Sequence, residues 1–373
     1  MLRITSFKKL LTLLVPTVAA LTIIATGVAS AVDFSGKRIT IVVPFNEGGG
    51  TDSYTRFMLP YFQKYLPGNP KIIVQNKSGA GGILGGNYFA QKAKTDGTWV
   101  FALSTSTISN FALGDPRVKF KLNEFIPIIL SPRGTMQYVR KDLGLQELGT
   151  LKGRIEKMQG FPKEKLVFGG KTPTSMGLAL RVGLSLLGIE TKDVWGMKGN
   201  GPMALAFERG EFLINFDNTL SYKNNRKKLH SDGIAVPLYT FGVINADGKM
   251  VRDPVWPDVP TFNEAFKAIH DKAPSGDGYD AFISLFHMSV TMSKSWNLPA
   301  GTSKEIVEAY REAARKMMQD ADFKAKRAKI FGPFEQTFGD QAFEIRDKAT
   351  QIPPNAKKWL AKYVKDRYDI DIK

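Results

Sequence analysis

The hydrophobic positions of the chain follow two alternating spacings, which predict strands and helices in turn. Residues 38–45 form an apolar, β-branched run that predicts a buried strand. From residue 54 to residue 65, aromatic and methionine side chains recur three or four positions apart, which is typical of a helix. Residues 71–75 and 98–104 predict two more strands, with a helix at residues 83–93 between them. Strands that alternate with helices predict a parallel sheet covered by helices on both faces.

The same alternation starts again in the middle of the chain. Residues 165–168 and 211–216 predict strands, and residues 176–187 predict a helix between them. A late apolar run at residues 281–290 predicts a further strand, and a helix with a capping box that begins at Thr302 is expected after it. Two α/β units in one chain of 373 residues predict two lobes with a cleft between them.

The boundaries of the lobes are predicted from the points where one α/β unit gives way to the next. We expect the chain to cross into the second lobe near residues 136–140 and to return near residues 282–290. The first lobe would then contain residues 32–135 and, after the return, residues 285–373 with the C-terminal helices. The second lobe would contain residues 136–284.

Residues 1–31 have the pattern of a cleaved signal peptide. Three basic residues precede an apolar run at residues 10–28, which closes with an A-x-A pattern that signal peptidase recognises. The alternative is an uncleaved membrane anchor, because the apolar run is long for a signal core. The small residues at its end favour cleavage near Ala31, so we expect a mature protein in the periplasm.

Composition narrows the classes of function further. The chain has no cysteine, which excludes disulfides, a thiolate nucleophile, a cysteine-ligated metal and a lipid-modified cysteine. With 52 basic and 35 acidic residues the formal net charge is +17, but the basic residues are scattered among acidic ones. We therefore expect a basic surface that attracts small anions, and no nucleic-acid partner. The three histidines stand apart without metal-ligand spacing, so neither a metal nor a cofactor is expected.

Two glycine-rich loops carry the most informative chemistry. Gly48, Gly49 and Gly50 follow the first predicted strand and precede a helix, and residues 79–82 repeat this arrangement one unit later. Such a loop points several backbone N–H groups at one place, beside the partial positive charge of a helix N-terminus, and therefore favours an anion. The two loops could hold one carboxylate from two sides, or they could be ordinary turns without a ligand.

The signatures of enzymes are incomplete in this chain. Residues 79–84 lack the last glycine of the dinucleotide-binding fingerprint, and Lys165 stands where a P-loop needs glycine. Residues 173–177 lack the first glycine of a nucleophile elbow. The carboxylates near the glycine loops are not paired as acid and base. No catalytic residue is therefore predicted.

Seven short motifs occur in series along the chain. They are PFNEGGGTD at 44–52, NKSGAGG at 76–82, DGT at 96–98, FIPI at 125–128, KGNGP at 198–202, PDVPT at 257–261 and PAGT at 299–302. In this order they resemble the Bug-type receptors, the solute-binding proteins of tripartite tricarboxylate transporters. The resemblance runs from Ile39 to the last helices, with Trp256 where the family has leucine.

The resemblance implies an α/β protein with the two-lobed periplasmic-binding-protein (Venus flytrap) fold and a ligand cleft between the lobes. It implies a monomeric, non-catalytic receptor that captures a small organic carboxylate and delivers it to integral-membrane permease subunits. The glycine loops would bind the proximal carboxylate, and the second lobe would close on the far end and set selectivity. The ligand-binding positions that the resemblance implies are Phe45, Asn46, Gly48, Gly49, Gly50, Thr51, Asp52, Gly79, Ala80, Gly81, Ser104, Ser106, Thr172, Thr174, Ser175, Gly199, Asn200, Asp217 and Asn218.

The chain departs from the family at several positions. Asn46 and Glu47 replace the small residue and proline that usually precede the glycines, and Glu47 either points to solvent or selects a ligand with an amino or hydroxyl group. Lys171 lies where relatives often have small residues and could meet a second carboxylate. Asp52 is expected to brace the loop and cap the helix, since its charge would repel an anion. Residues 223–278 form a longer stretch than usual.

Two other functions stay open at this point. A sensory receptor would use the same cleft but would bind a membrane signalling partner instead of a permease. An enzyme could also use the cleft, although it would lack the recognised nucleophile, metal and cofactor motifs. The sequence also leaves open which carboxylate is bound.

Overall fold

The structure is a computed structural model that describes residues 32–245 and 247–372. The predicted signal peptide, residues 1–31, lies outside the described residues. From Val32 onward the chain forms one compact unit. None of the helices in the described ranges is both long enough and apolar enough to cross a bilayer.

Strands and helices alternate through most of the described residues. The strands are β1 (Arg38–Val43), β2 (Lys71–Asn76), β3 (Trp99–Ser104), β4 (Ile126–Ser131), β5 (Thr135–Arg140), β6 (Val167–Gly169), β7 (Lys192–Val194), β8 (Ile214–Asn218), β9 (Ala235–Thr240), β10 (Val243–Ile244), β11 (Met250–Val251) and β12 (Lys294–Leu298). The helices are α1 (Gly50–Tyr65), α2 (Ile83–Lys92), α3 (Thr105–Ala112), α4 (Leu151–Gln159), α5 (Gly177–Leu186), α6 (Asn200–Glu208), α7 (Thr219–Asn225), α8 (Lys227–Ser231), α9 (Phe262–His270), α10 (Asp277–Phe286), α11 (Lys304–Gln319), α12 (Ala321–Lys326), α13 (Gly339–Thr350) and α14 (Pro354–Tyr368).

Within the described residues, ten strands form two five-stranded sheets, and β10 pairs with β11 in a short hairpin. The first sheet has the order β2-β1-β3-β12-β4, and the second has the order β7-β6-β8-β5-β9. We call the halves built on these sheets the first and the second lobe. The sequence predicted parallel sheets, but each sheet is mixed, because β12 and β5 run antiparallel to both of their neighbours. Both of these strands come directly from a crossing between the sheets, not from a strand–helix–strand unit.

The chain passes between the sheets through short connections. Residues 132–134 lead directly from β4 into β5, and a π-helical turn at His287–Thr291 precedes the return into β12. The strand predicted at residues 281–290 is wrong, because these residues belong to α10 and to the π-helical turn. Phe282 and Leu285 are buried at helical spacing. A run that is apolar at nearly every position has no clear period, so a buried helix can be mistaken for a strand.

Trp296 on β12 lies at the centre of the core of the first lobe. Its side chain is fully buried, and its ring centroid lies 4.6 Å from that of Phe62 on α1. On α11, the buried Tyr310 hydroxyl donates to the carbonyl oxygen of Gly97 at 2.6 Å. The contact with Phe62 holds β12 against α1, and pairing with β3 and β4 on its two sides determines where the first residue of β12 lies.

The start of α11 differs from the prediction by one residue. Ser303 is the N-cap, and its hydroxyl accepts a hydrogen bond from the N–H of Ile306 at 3.4 Å. The predicted capping box at Thr302 is wrong, because the Thr302 hydroxyl donates to the carbonyl oxygen of Pro299 at 2.8 Å. Two adjacent hydroxyl residues both suit an N-cap, and the turn at Pro299 engages the first of them.

The C-terminal helix α14 packs against α10, and the hydroxyl of its Tyr363 donates to the carbonyl oxygen of Arg181 on α5 at 3.3 Å. Arg367 donates two hydrogen bonds of 2.7 Å to Glu190, and the Tyr368 hydroxyl donates to Asp193 at 2.6 Å. The expectation that the C-terminal helices belong to the first lobe is therefore corrected for α14. The apolar stripe of an amphipathic helix shows that it must be covered, but not which lobe covers it.

Candidate anion-binding site

A cavity of about 350 Å³ lies between the two lobes. Its wall in the first lobe comes from the β1–α1 loop, the start of α3 and the start of β12. Its wall in the second lobe comes from the starts of α6 and α7 and from Lys171 in the β6–α5 loop. Loops and helix N-termini therefore meet here, and helix N-termini carry partial positive charge.

The β1–α1 loop presents its backbone to this cavity. Gly48 has a φ of +70°, in the left-handed region that favours glycine, and Gly49 is the N-cap of α1 without a side-chain hydrogen bond. The first N–H groups of a helix have no partner within the helix. Those of Gly50 and Thr51 therefore lie at the cavity with the positive end of α1 behind them.

Asp52 holds this loop from behind. Its carboxylate accepts hydrogen bonds from the N–H of Gly48 at 2.9 Å, from Arg56 at 2.9 Å and from Asn76 at 3.0 Å. Burial alone would raise the pKa of Asp52, but these hydrogen bonds together hold it below its usual value. The expected role as a loop brace is confirmed, whereas the N-cap of α1 takes no side-chain bond, so the capping role is wrong. Asp52 does not line the cavity.

Lys294, the first residue of β12, is a candidate binding residue that the sequence analysis missed. Its side chain is 8% exposed, lines the cavity, and donates to the hydroxyls of Thr51 at 2.9 Å and Ser104 at 3.0 Å. No carboxylate of the described residues forms an ion pair with it. Burial, together with the positive charges of Arg133 and Lys171, lowers the pKa of Lys294 well below its usual value. The one available signal was a lysine at the start of a strand whose other four residues, 295–298, are uncharged.

Lys171 approaches the cavity from the second lobe. Its side chain is also 8% exposed, and its ammonium group donates to the amide oxygen of Asn200 at 2.6 Å. Burial lowers the pKa of Lys171 to about 8, although Asp217 acts in the opposite direction. Lys171 forms no ion pair within the described residues, so both lobes bring a buried cation to the same space.

Asp217 is the buried acid of the cavity, and its charge is already matched. Its carboxylate accepts hydrogen bonds from Arg226 at 2.9 Å, from the Tyr138 hydroxyl at 3.0 Å and from Asn200 at 3.2 Å. Arg226 was also missed by the sequence analysis. Because this pair is neutral together, it leaves the charges of Lys171 and Lys294 uncompensated.

The second glycine loop lies beside a different cavity. Gly81 has a φ of +64°, and a Cβ there would lie 3.0 Å from Asn110 and 3.3 Å from the Thr172 hydroxyl of the second lobe. This loop lines an adjoining cavity of about 360 Å³, which shares Phe45 and Lys171 with the first. The two glycine loops therefore flank Phe45 and Lys171 and do not face one space together.

The structure divides the predicted ligand-binding positions into three groups. Those that line the first cavity are Phe45, Asn46, Gly48, Gly49, Gly50, Thr51, Ser104, Ser106, Gly199, Asn200, Asp217 and Asn218. Those that line the adjoining cavity are Gly79, Ala80, Gly81 and Thr172. Asp52, Thr174 and Ser175 line neither cavity. Thr174 donates to Asp115 at 2.7 Å, and Ser175 donates to the carbonyl oxygen of Thr172 at 2.7 Å, so both brace the β6–α5 loop.

Glu47 is exposed on the rim of the first cavity. Its charge therefore faces water more than it faces the buried lysines. Within residues 32–245 and 247–372, no group of three or more histidine or acidic side chains is arranged to hold a metal ion.

Comparisons with known proteins bear on this geometry. No protein-family model matches the chain. The UPF0065 protein in the tcbD-tcbE intergenic region of Pseudomonas sp. strain P51 is 26% identical over 235 residues, which are 62% of this chain and 64% of that protein. BugT of Bordetella pertussis is 31% identical over 100 residues, which are 26% of this chain and 30% of BugT. The chain thus spans less than two thirds of the length of either curated relative.

Solved structures extend the likeness to nearly the whole chain. The periplasmic binding protein BugD has a TM-score of 0.63 at 19% identity, covering 88% of this chain and 97% of BugD. This chain has the two-lobed fold of a periplasmic binding protein. Rpa4515 of R. palustris, solved with adipate, has a TM-score of 0.65 at 20% identity, covering 91% of this chain and 99% of that structure. Relatives in sequence and in fold both include Bug proteins, which confirms the resemblance that the loop motifs indicated.

Proposed function

We propose that this protein is a periplasmic solute-binding receptor that captures a small organic carboxylate and delivers it to a membrane permease of the tripartite tricarboxylate type. The lobes would be those predicted from the sequence except for α14, which packs on the second lobe, with the chain crossing near residue 135 and returning before β12. The ligand would bind in the cavity between them. Closure of the lobes around it would present the loaded form to the permease.

The charge of the cavity carries this proposal. An unpaired buried ammonium group is costly in an empty site, because it has lost water without gaining a counter-ion. Lys294 and Lys171 are both in this condition, and both line the cavity beside the N-terminus of α1. A carboxylate would supply the missing negative charge to the lysines. It would also accept hydrogen bonds from the free N–H groups of Gly50 and Thr51.

The two lobes would have different roles in recognition. The first lobe offers backbone N–H groups with Lys294, Thr51 and Ser104, which suit any carboxylate. The second lobe offers the side chains of Lys171 and Asn200, and whether they can bind the ligand depends on the chemical groups at its far end. We expect selectivity to reside in the second lobe. The structure solved with adipate is that of a fold neighbour, so it supports the carboxylate class without naming the ligand of this chain.

The experiment is a thermal-shift screen of the purified protein against aliphatic mono-, di- and tricarboxylates, amino acids and aromatic carboxylates, each with its matched amide. A ligand that binds only the folded state stabilises it by about 2.7 kcal/mol at one hundred times its dissociation constant. We expect at least one carboxylate to raise the melting temperature while its amide does not. An amide that binds as well as its acid, or a panel with no response in protein shown to be ligand-free, would contradict the proposal.

Two alternatives are separated by further measurements. If an enzyme used the cavity, the bound carboxylate would change on incubation, which NMR of the released ligand would detect. If the protein were a sensor, the loaded form would bind a membrane signalling protein instead of stimulating uptake through a permease. Transport into vesicles that contain the permease, with and without the receptor, tests this point directly.

A further inference from the structure

Arg133 lies in the connection between β4 and β5 and is the third buried cation near the cleft. Its side chain is 5% exposed, and its backbone N–H donates to the carbonyl oxygen of Val290 at 2.9 Å. The guanidinium lies over the rings of Tyr54 at 5.5 Å and Phe331 at 5.6 Å. It forms no hydrogen bond or ion pair with any described residue, and its Nε is fully enclosed without a partner.

This guanidinium lines its own cavity of about 380 Å³, next to the first one. Its lining includes Ser53, Tyr54, Arg133, Ser221, Lys294 and Lys329. Three of the lining residues are basic and none is acidic. Lys294 lines both cavities, so it stands between the carboxylate position proposed above and the space in front of Arg133.

An unpaired guanidinium inside a protein is an unusual arrangement. Arginine stays protonated, and burial lowers the pKa of Arg133 only to about 10. The aromatic faces of Tyr54 and Phe331 offset part of the lost hydration, but none of the described residues accepts a hydrogen bond from the guanidinium. An anion in the cavity would satisfy these donors and separate the like charges of Arg133 and Lys294.

We propose that Arg133 and Lys294 form a second anion-binding subsite, which takes a carboxylate or another small oxyanion. The hydroxyls of Ser53 and Ser221 would add donors from the two lobes, and Lys329 would face the anion from the rim. The anion could be a further carboxylate of the ligand in the first cavity or a separate free anion. Because Ser53 and Ser221 come from different lobes, either anion would bridge them.

Formate, titrated at constant ionic strength against sodium fluoride, is the probe for the free anion. We expect formate to raise the melting temperature of the wild-type protein saturably. In Arg133→Met, which keeps the packing against both rings, the half-saturating concentration should rise by at least about tenfold, as for the loss of a hydrogen bond to a charged group. Arg133→Lys should retain most of the response, and the exposed Arg209→Met should respond like wild type.

Glutarate and tricarballylate differ by one carboxylate. They test whether the anion in the subsite is a further carboxylate of the ligand in the first cavity. If the subsite takes part of the same ligand, tricarballylate should bind the wild type more tightly than glutarate does, and Arg133→Met should remove this preference. Equal formate and tricarballylate responses in wild type and folded Arg133→Met would overturn the subsite and leave the proposed function standing. If Arg133→Met does not fold, Arg133→Gln takes its place, and an unchanged response of that variant to both probes would overturn the subsite as well.

Discussion

At the scale of single residues, the cavity combines two lysines from different lobes with one carboxylate that Arg226 has already neutralised. The cost of burying Lys171 and Lys294 is fixed when the protein folds, so a ligand does not have to order them on binding. In the proposed receptor, their charges would therefore increase the affinity for a carboxylate at the expense of the stability of the ligand-free protein. This balance can be measured because both quantities respond to the same substitutions.

Lys294→Met is the most direct test of that balance. Methionine has nearly the same length but no charge, so it keeps the packing between Thr51 and Ser104. We expect the affinity for the carboxylate found in the screen to fall by at least about tenfold, because a charge-assisted hydrogen bond is lost. We expect the ligand-free protein to be as stable as wild type or more so. Calorimetric titration and urea unfolding measure the two effects, and a weaker fold with unchanged affinity would contradict the assignment.

Lys171 predicts a pH dependence of binding. Its pKa in the folded protein is about 8, below the ordinary value of 10.5, so it loses its proton as pH rises through 8. Carboxylate affinity should therefore decline above about pH 8. Between pH 8 and pH 10.5, Lys171 binds fewer protons in the folded state than in the unfolded state. The contribution of Lys171 to the stability of the ligand-free protein should therefore increase as pH rises through this range. Lys294 changes in the same direction, so the part due to Lys171 is the difference between wild type and Lys171→Met. Identical pH profiles of the two proteins would contradict the prediction.

Only some of these residues could be predicted from the sequence. Gly48 to Gly50 are adjacent in the chain, and a strand, a glycine run and a helix start define an anion site locally. Lys294 reaches Thr51 only because β12 inserts beside β3, across 243 positions of the chain. Arg226 reaches Asp217 from the end of α7. Contacts of this kind depend on the tertiary fold, and residue spacing does not reveal them.

At the scale of elements, α1 and its preceding loop form the part of the site that depends least on side chains. A Cβ at Gly50 would lie 3.6 Å from the Ser221 hydroxyl and 3.7 Å from the amide nitrogen of Asn218. These are ordinary contacts, so the position tolerates a Cβ but has no room for larger groups. The N-terminus of α1 thus faces α7 closely across the cleft.

Gly50→Val should therefore weaken ligand binding without unfolding the protein. The two methyl groups of valine would occupy the space between the loop and α7, which should lower carboxylate affinity by at least about tenfold. Gly149→Val, in an exposed loop with open space around it, is the matched control. Thermal unfolding with and without ligand measures both quantities. A folded Gly50→Val protein with wild-type affinity would remove this loop from the site.

The elements themselves were predictable to different degrees. β1, α1, β2, α2 and β3 follow the periods of the sequence closely, because each has one buried face and clear turns at its ends. The segment at residues 281–290 failed because a fully buried helix has no polar face to mark its period. The mixed character of both sheets could not be seen either, since strand direction is set by the path of the chain between the lobes.

At the scale of the whole molecule, the connection at residues 132–134 joins the lobes and is packed against Asp253. A Cβ at Gly134 would lie 1.5 Å from a carboxylate oxygen of Asp253, so only glycine fits there. Asp253 is fully buried, and burial raises its pKa to about 6, against an opposing hydrogen bond from the N–H of Val255. A titratable group therefore lies directly behind the link between the two sheets.

Asp253 predicts that stability depends on pH in the acid range. The pKa of Asp253 is about 6 in the folded state and 3.8 is its ordinary value. Its stabilising contribution is therefore fully present below pH 3.8 and is lost as pH rises through about 6. The loss amounts to about 3 kcal/mol. Asp253→Asn should remove it, so the stability of the variant relative to wild type should rise from pH 4 to pH 7. Urea unfolding at these pH values is the measurement, and parallel curves would contradict the prediction.

The two-lobed arrangement followed from the sequence because two separate α/β units leave two separate sets of apolar faces. The position of α14 did not follow. Its buried Leu360 and Val364 require a cover, but helices of either lobe could have provided one. The choice is made by Glu190 and Asp193, which bind Arg367 and Tyr368 across more than 170 positions of the chain.

The position of β12 inside the first sheet also determines the order in which the two sheets can form during folding. β12 lies between β3 and β4, and it pairs with residues as far as 196 positions earlier in the chain, as Asn297 does with Phe101. Every strand of the second sheet precedes it, so the second sheet can assemble while β3 and β4 still have open edges. Such long-range pairing is slow to form. A nascent or truncated chain that ends before residue 294 would therefore hold one finished sheet and one with two unpaired edges, and would be prone to aggregate.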